Sequence, residues 1–273
     1  MRNIYTFGGF PARRNVTIAD LQAGKGKRKF TETTAFTPDE ALAAQEAGID
    51  TLSCNAWDIA EVRKAADTIF MTGALPYTDY ISADDILKGA IETLEAGADM
   101  VYTCRGLHII EMLAKEDIPV MAHAGLVPRK STWVGGLRAI GRTAEEGMAL
   151  YQSVKDIENA GAAAVEIEVV PEETLAAINP LTSLITFSIG AGSGGDVMFL
   201  FQEDICGETE NPARHVRTYG NLKRLKDQMQ QERIAALTAF REDVERGGFP
   251  GDDVSVRLKP EEHDRLQEML AKL

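Results

Sequence analysis

Short apolar runs alternate with longer amphipathic stretches along most of the chain. The runs stand at 29–36 ("KFTETTAF"), 50–54 ("DTLSC"), 68–73 ("TIFMTG"), 99–104 ("DMVYTC"), 118–123 ("IPVMAH"), 163–169 ("AAVEIEV"), 184–190 ("LITFSIG") and 197–201 ("VMFLF"). Runs this short, bounded by turn residues, predict buried strands. Between most of them lie segments such as "TPDEALAAQEAG" and "SADDILKGAIETLEAG", which predict helices. Each opens on Thr or Ser with acidic residues in the first turn, where the free amides of a helix start can donate to them, and each closes on Gly. The phrases "EAGID", "EAGAD" and "NAGAA" at 46–50, 95–99 and 159–163 mark helices that stop and turn directly into the next strand.

Strand alternating with helix predicts a parallel sheet with crossover helices. Eight strands is the number that closes a barrel, so the expected fold is α/β, a (β/α)8 TIM barrel over about residues 27–205. A doubly wound open sheet is the rival. After residue 201 the pattern changes: 221–247 reads as one long amphipathic helix and the tail "KPEEHDRLQEMLAKL" as another. The expectation is a single domain over 1–273, with C-terminal helices from about 212 to 273 appended to the barrel.

Composition narrows the function. The 273 residues are 44% hydrophobic and 26% charged, enough for a full core without disulfides or a structural metal. A net charge of −13 argues against nucleic acid and anionic membranes as partners. The basic run "GKGKRKF" lacks the spacing of a phosphate loop and reads as a solvated edge. Three cysteines point to a reducing compartment. No N-terminal signal and no membrane span is apparent, so the expected location is the cytoplasm.

In a parallel barrel, chemistry sits at the C-terminal ends of the strands. The candidates there are Thr34, Cys54, Asn55, Ala74, Cys104, Arg105, His123, Glu168 and the loop "SIGAGSGGD" at 188–196. Glu166 and Glu168, two apart on a strand, share a face. Two acids on an apolar strand are costly unless paired, hydrated or functional. A desolvated Glu168 has a raised pKa and suits a general base; one or both acids could instead pair with an interior Arg or Lys. His123 could donate to a substrate oxygen, bind a metal or brace a neighbour. Arg105 could grip a carboxylate or cap the next helix. Gly190 and Gly192 could offer amides to an anion or simply make a turn. Cys54, Cys104 and His123 end three strands and could converge on a metal with Glu166, although no close CxxC or HxxxH spacing supports this.

These residues resemble ketopantoate hydroxymethyltransferases (3-methyl-2-oxobutanoate hydroxymethyltransferases) of the phosphoenolpyruvate/pyruvate barrel superfamily. The likeness runs through "TIADLQAGKGKRKFTETTAFTPDEALAAQEAGID", "PVMAHAGLVPRKSTWVGGLRAIGRTAEEG", "VEIEVVPEE", "SIGAGSG" and "VERGGFPGDD". It implies aldol-like chemistry: a Mg²⁺-bound 2-oxo acid loses a proton beside its ketone, and the enolate takes a hydroxymethyl group from methylene-tetrahydrofolate. The family's base matches Glu168 and its active-site histidine His123. Its two metal-binding aspartates, however, fall at Ala56 and Ala74, and its Lys and Glu on the fourth strand at Tyr102 and Cys104. Alanine has no donor atom, so the resemblance implies loss of the family's Mg²⁺ site.

The expected function is therefore an enzyme, a transferase or aldolase-type lyase, that makes or breaks a C–C bond, or enolises, beside the carbonyl of a small 2-oxo acid. Glu168 and His123 would be catalytic, with Arg105, Tyr102, Asn55, Cys104, Gly190 and Gly192 binding substrate. The alternatives are a relocated metal drawing on Cys54, Cys104, His123, Glu166 and Glu168, and a non-catalytic binding or assembly protein. Expected partners are a small carboxylate and further copies of the chain.

Overall fold

The computed structural model describes residues 1–273 as two compact units, 1–220 and 221–273. The first unit opens with an antiparallel pair, β1 (Arg2–Tyr5) and β2 (Pro11–Arg14). Then come β3 (Phe30–Thr34), β4 (Thr51–Asn55), β5 (Phe70–Ala74), β6 (Met100–Tyr102), β7 (Val120–Gly125), β8 (Ala164–Glu168), β9 (Ile185–Ile189) and β10 (Val197–Phe199). These eight pair in parallel, and β10 pairs with both β9 and β3, closing a barrel and excluding the open sheet. Strand ends lie within a few residues of expectation; β10 stops at Phe199 rather than 201.

The connecting helices start as their sequences dictate. Thr37 accepts from the Glu40 amide while the Glu40 carboxylate accepts from the Thr37 amide, and Ser82 and Asp85 repeat the arrangement. The glycines of the repeated phrase, Gly48, Gly97 and Gly161, all have positive φ (78°, 114° and 90°). That left-handed step lets each helix turn at once into its strand.

Alternation along the strands builds two cores. Leu52, Cys54, Met71, Val101, Val120, Val165 and Ile167 face the helices and pack with Ile59, Val62, Ile110, Leu113 and Val154. Phe30, Phe70, Met100, Met121, Ala164, Ile185, Phe187 and Val197 face the lumen, with Val16 and Leu21 in the same cluster. In the second unit, helices span Leu222–Glu245 and Pro260–Leu270, and no residue of either is buried. No helix is long and apolar enough to cross a membrane.

The Asp99 carboxylate joins several of these elements. It accepts from Arg14 Nε at 2.7 Å, Arg63 Nη2 at 3.0 Å and the Met71 amide at 3.0 Å, linking β2, the helix Ile59–Ala65 and β5. Burial pulls the Arg63 pKa down to about 10 despite this partner. Asp99→Ala leaves one buried and one half-buried guanidinium group, those of Arg14 and Arg63, without their anion. We expect it to cost about 3–5 kcal/mol in chemical denaturation; a loss below about 1 kcal/mol would show that the network adds little.

Candidate active site

The strand registers sort the polar residues. Glu32 pairs with Thr51, Thr34 with Ser53, Asn55 with Ala74 and Ala74 with Tyr102. His123 pairs with Glu166, and Gly125 with Glu168. Paired residues in a parallel sheet point to one face, and residues two apart share it. All of these therefore face the lumen with Phe30 and Phe187. No Lys or Arg occupies an inward strand position, so Glu32, Glu166 and Glu168 share the lumen with a single group able to carry positive charge, His123.

The imidazole is held on both edges. Its Nε2 lies 2.6 Å from the Leu126 carbonyl, which can only accept, so Nε2 carries a proton. Nδ1 is then the nitrogen that titrates. It lies 2.8 Å from Tyr102 Oη and 3.0 Å from Glu166 Oε1; Tyr102 Oη donates to the same Glu166 oxygen at 3.0 Å. Cys104 Sγ donates to Tyr102 Oη at 3.1 Å. On the solvent side, Glu168 Oε2 stands 3.5 Å from Nε2.

These contacts set the protonation states. Burial opposes charge on His123, but hydrogen bonds and charge from Cys104 and Glu166 outweigh it and hold the pKa well above the ordinary imidazole value. Burial likewise opposes the Cys104 thiolate, yet hydrogen bonding to His123 carries its pKa below the usual thiol value. Burial, with Glu166 adding to it, pushes Tyr102 well up. Glu168 is raised by desolvation, against the pull of His123. Glu32, 2% exposed and with neither carboxylate oxygen hydrogen-bonded, is pushed far up by burial and then by Glu166, and stays a neutral acid.

The other expected site residues divide. Tyr102 and Cys104 join His123 and Glu166 directly. Cys54 does not: it is one step out of phase with inward Ser53 and Asn55, faces the helices, and burial drives its pKa to about 12. A metal set including Cys54 is thereby ruled out. Asn55 donates to Asp58 at 2.9 Å, bracing its own turn. Arg105 donates to the carbonyls of Tyr77 and Tyr80 and grips no carboxylate of the chain. The glycine loop already has an internal anion. Ser193 donates through its amide and hydroxyl to Glu172, while the open sides of Gly190 and Gly192 are filled by His215 and Glu172. Thr34 accepts from the Gln202 amide.

Two participants escaped the sequence reading. Glu32 could have been found from its phase within "FTETT", between inward Phe30 and Thr34; the Leu126 carbonyl leaves no trace in residue types. Alanine occupies both positions that the resemblance gives to metal-binding aspartates, with Ala56 buried and Ala74 at the end of β5. A methyl group offers no donor, so these residues do not fit a magnesium ion held there. One donor set does exist elsewhere: an atom each from His123, Glu166 and Glu168, all within 4.8 Å of one another.

A closed (β/α)8 barrel with carboxylates and a histidine at the C-terminal ends of its strands defines a barrel of the enzyme type. The model of the ketopantoate hydroxymethyltransferase family matches residues 56–252. The 3-methyl-2-oxobutanoate hydroxymethyltransferase of Pyrococcus abyssi is 30% identical, over 87% of this chain and 91% of that protein. That of Caldivirga maquilingensis is 32% identical, over 77% and 89%. The chain belongs to the ketopantoate hydroxymethyltransferase family. In fold it is also similar to a crystal structure of 2,3-dimethylmalate lyase, a member of the PEP mutase/isocitrate lyase superfamily. That likeness has a TM-score of 0.50 at 14% identity, over 94% of this chain and 99% of that one.

The paired shifts of Cys104 and His123 make a reactivity prediction. At pH 7, iodoacetamide should alkylate Cys104 at least about tenfold faster than Cys54, read by peptide mapping, because only the thiolate reacts. His123→Phe should slow Cys104. Equal labelling of the two cysteines would contradict the assignment.

Proposed function

We propose that this protein enolises a small 2-oxo acid beside its ketone and forms or breaks a C–C bond there, with Glu168 as the base. The observation that carries this reading is the position of Glu168. It is a desolvated carboxylate at the C-terminal end of β8, 3.5 Å from an imidazole that Cys104 and Glu166 together hold cationic.

Each group has a defined task. Glu168 takes the proton, and the electron pair left on carbon delocalises onto the ketone oxygen as an enolate. That oxygen needs a positive charge nearby. The His123 imidazolium supplies it, kept protonated by Glu166 and fixed in orientation by the Leu126 carbonyl. Glu166 thus has a reason to lie in the lumen. The enolate then recovers a proton from Glu168 or attacks an electrophilic carbon; methylene-tetrahydrofolate as that donor rests on the resemblance alone. A second reading draws on the cluster of His123, Glu166 and Glu168, whose donor atoms are close enough to hold a divalent ion. In that case Glu168 would be a ligand and not the base.

Proton NMR in D₂O across a panel of 2-oxo acids separates these readings, comparing wild type with Glu168→Gln, each with Mg²⁺ and with EDTA. We expect exchange beside the ketone to survive EDTA and to fall by about 10²–10⁴-fold in the variant. Exchange abolished by EDTA would favour the metal; no exchange with any acid would sink enolisation altogether.

The pH profile has a determined sign. Activity falls as acid protonates Glu168, at a pH above the ordinary glutamate range. It falls again as base removes the His123 proton, well above the ordinary imidazole value. Glu166→Gln removes a group that favours the imidazolium, so its alkaline limb should move to lower pH. An unmoved limb would show that His123 does not act as a cation.

A further inference from the structure

A cleft of about 750 Å³ opens above this site, with Cys104 and His123 in its lining and Arg105, Arg129, Lys130 and Trp133 on its wall. The basic residues are arranged around aromatic rings. The Arg105 guanidinium lies 3.7 Å from the centre of the Tyr77 ring and that of Arg129 4.5 Å from the same centre; Lys130 Nζ is 5.6 Å from the Trp133 ring. Arg105 uses Nη2 for the carbonyls of Tyr77 and Tyr80, and Arg129 uses Nη2 for the carbonyl of Cys104. In each, Nε and Nη1 remain for a ligand. Neither arginine nor Lys130 has a carboxylate partner.

The contrast within the cleft is informative. Arg138 lines it too, but pairs with Glu146 at 2.8 Å. The remaining acid of the lining, Asp156, accepts from Gln152. Two guanidinium groups sharing one ring repel each other, and an oxyanion between them would relieve the repulsion and take up their free donors. The chain as a whole carries −13, so a wall of three cations without acidic partners is not its general surface. The placement also fits the chemistry below. Arg105 follows Tyr102 by three residues and Arg129 follows His123 by six, so both loops rise directly from strands that carry the site.

We propose that Arg105, Arg129 and Lys130 form an oxyanion clamp, and that the substrate is a 2-oxo acid bearing a second anionic group, carboxylate or phosphoryl, which the clamp holds. The substrate assignment rests on the enolisation reading; the clamp itself does not.

The test reads binding apart from catalysis. Trp57 and Trp133 are the only tryptophans, and Trp133 is 80% exposed on the clamp wall, so a Trp57→Phe background isolates its fluorescence. Inorganic phosphate, malonate and acetate are titrated at constant ionic strength against chloride. We expect saturable changes with phosphate or malonate, weakened at least about tenfold by Arg105→Gln with Arg129→Gln, since charge-assisted hydrogen bonds are removed. The stronger of the two ligands identifies the oxyanion as phosphoryl or carboxylate. A response no different from chloride, or one unaffected by both substitutions, overturns the clamp. In the NMR exchange assay, wild type should show a lower KM for 2-oxo acids with a second anion than for 3-methyl-2-oxobutanoate, and Arg129→Gln should shift that KM ratio at least about tenfold. Binding with no exchange would keep the clamp and refute enolisation; exchange with an unshifted ratio would refute the substrate class alone.

Discussion

The structure turns on one imbalance: three carboxylates face the lumen of the barrel, and a single imidazole is available to answer them. Two unit charges 3 Å apart attract by about 5–6 kcal/mol at an effective dielectric of 20. Removing each charge from water costs several kcal/mol. The terms are close enough that the outcome depends on hydrogen bonds. Here they favour charge on His123, because Nε2 already has its carbonyl acceptor and Nδ1 meets both Glu166 and Tyr102. Glu32 has no such support and keeps its proton. The lumen is thus divided between an imidazolium and a neutral acid, and Glu168, nearest solvent, has a carboxyl whose pKa is raised without being buried outright.

The same division accounts for the Cys104 thiol. It is half-buried, yet its pKa falls, because the imidazolium that hydrogen-bonds it also stabilises a thiolate. Tyr102 shows the opposite case. Burial, with Glu166 and Cys104 beside it, keeps its phenol neutral, donating to Glu166 and accepting from Cys104. Protonation across the site is a collective property: altering Glu166 changes the charge of His123 and hence the character of Cys104.

Most of the barrel was legible in the sequence because most strands are apolar runs and three of the connecting helices end on glycines, Gly48, Gly97 and Gly161, that adopt positive φ. The β1–β2 pair was not. Of its eight residues only Arg14 is buried, so neither strand shows an alternating apolar face. Glu166 and Glu168 were readable as a pair from their spacing, Cys104 and His123 from their places at strand ends, and Tyr102 only from the resemblance. Cys54 was misplaced because strand ends were considered without phase; the polar residues Thr51, Ser53 and Asn55 already marked the inward side and put Cys54 on the other. The glycine loop and Arg105 were illegible for a different reason. What decides their roles is the partner each finds across the fold, Glu172 in one case and two backbone carbonyls with the Tyr77 ring in the other, and no local pattern encodes a contact between loops.

A site of this kind carries a mechanistic consequence. An imidazolium brings one delocalised charge to an enolate, where a divalent ion brings two units concentrated at a point. It is the weaker stabiliser, so more of the barrier must be overcome by other means. Binding energy from a part of the substrate that does not react can serve, if it fixes the carbon acid against its base. An oxyanion held by Arg105 and Arg129 would do this, because Arg129 is itself anchored to the carbonyl of Cys104, whose side chain belongs to the hydrogen-bonded group around His123. The alanines at the positions that the resemblance gives to metal ligands and the cations on the cleft wall then fit one proposal. On that proposal the protein itself supplies the charge that activates the ketone, and the cleft wall would hold the substrate by its far end.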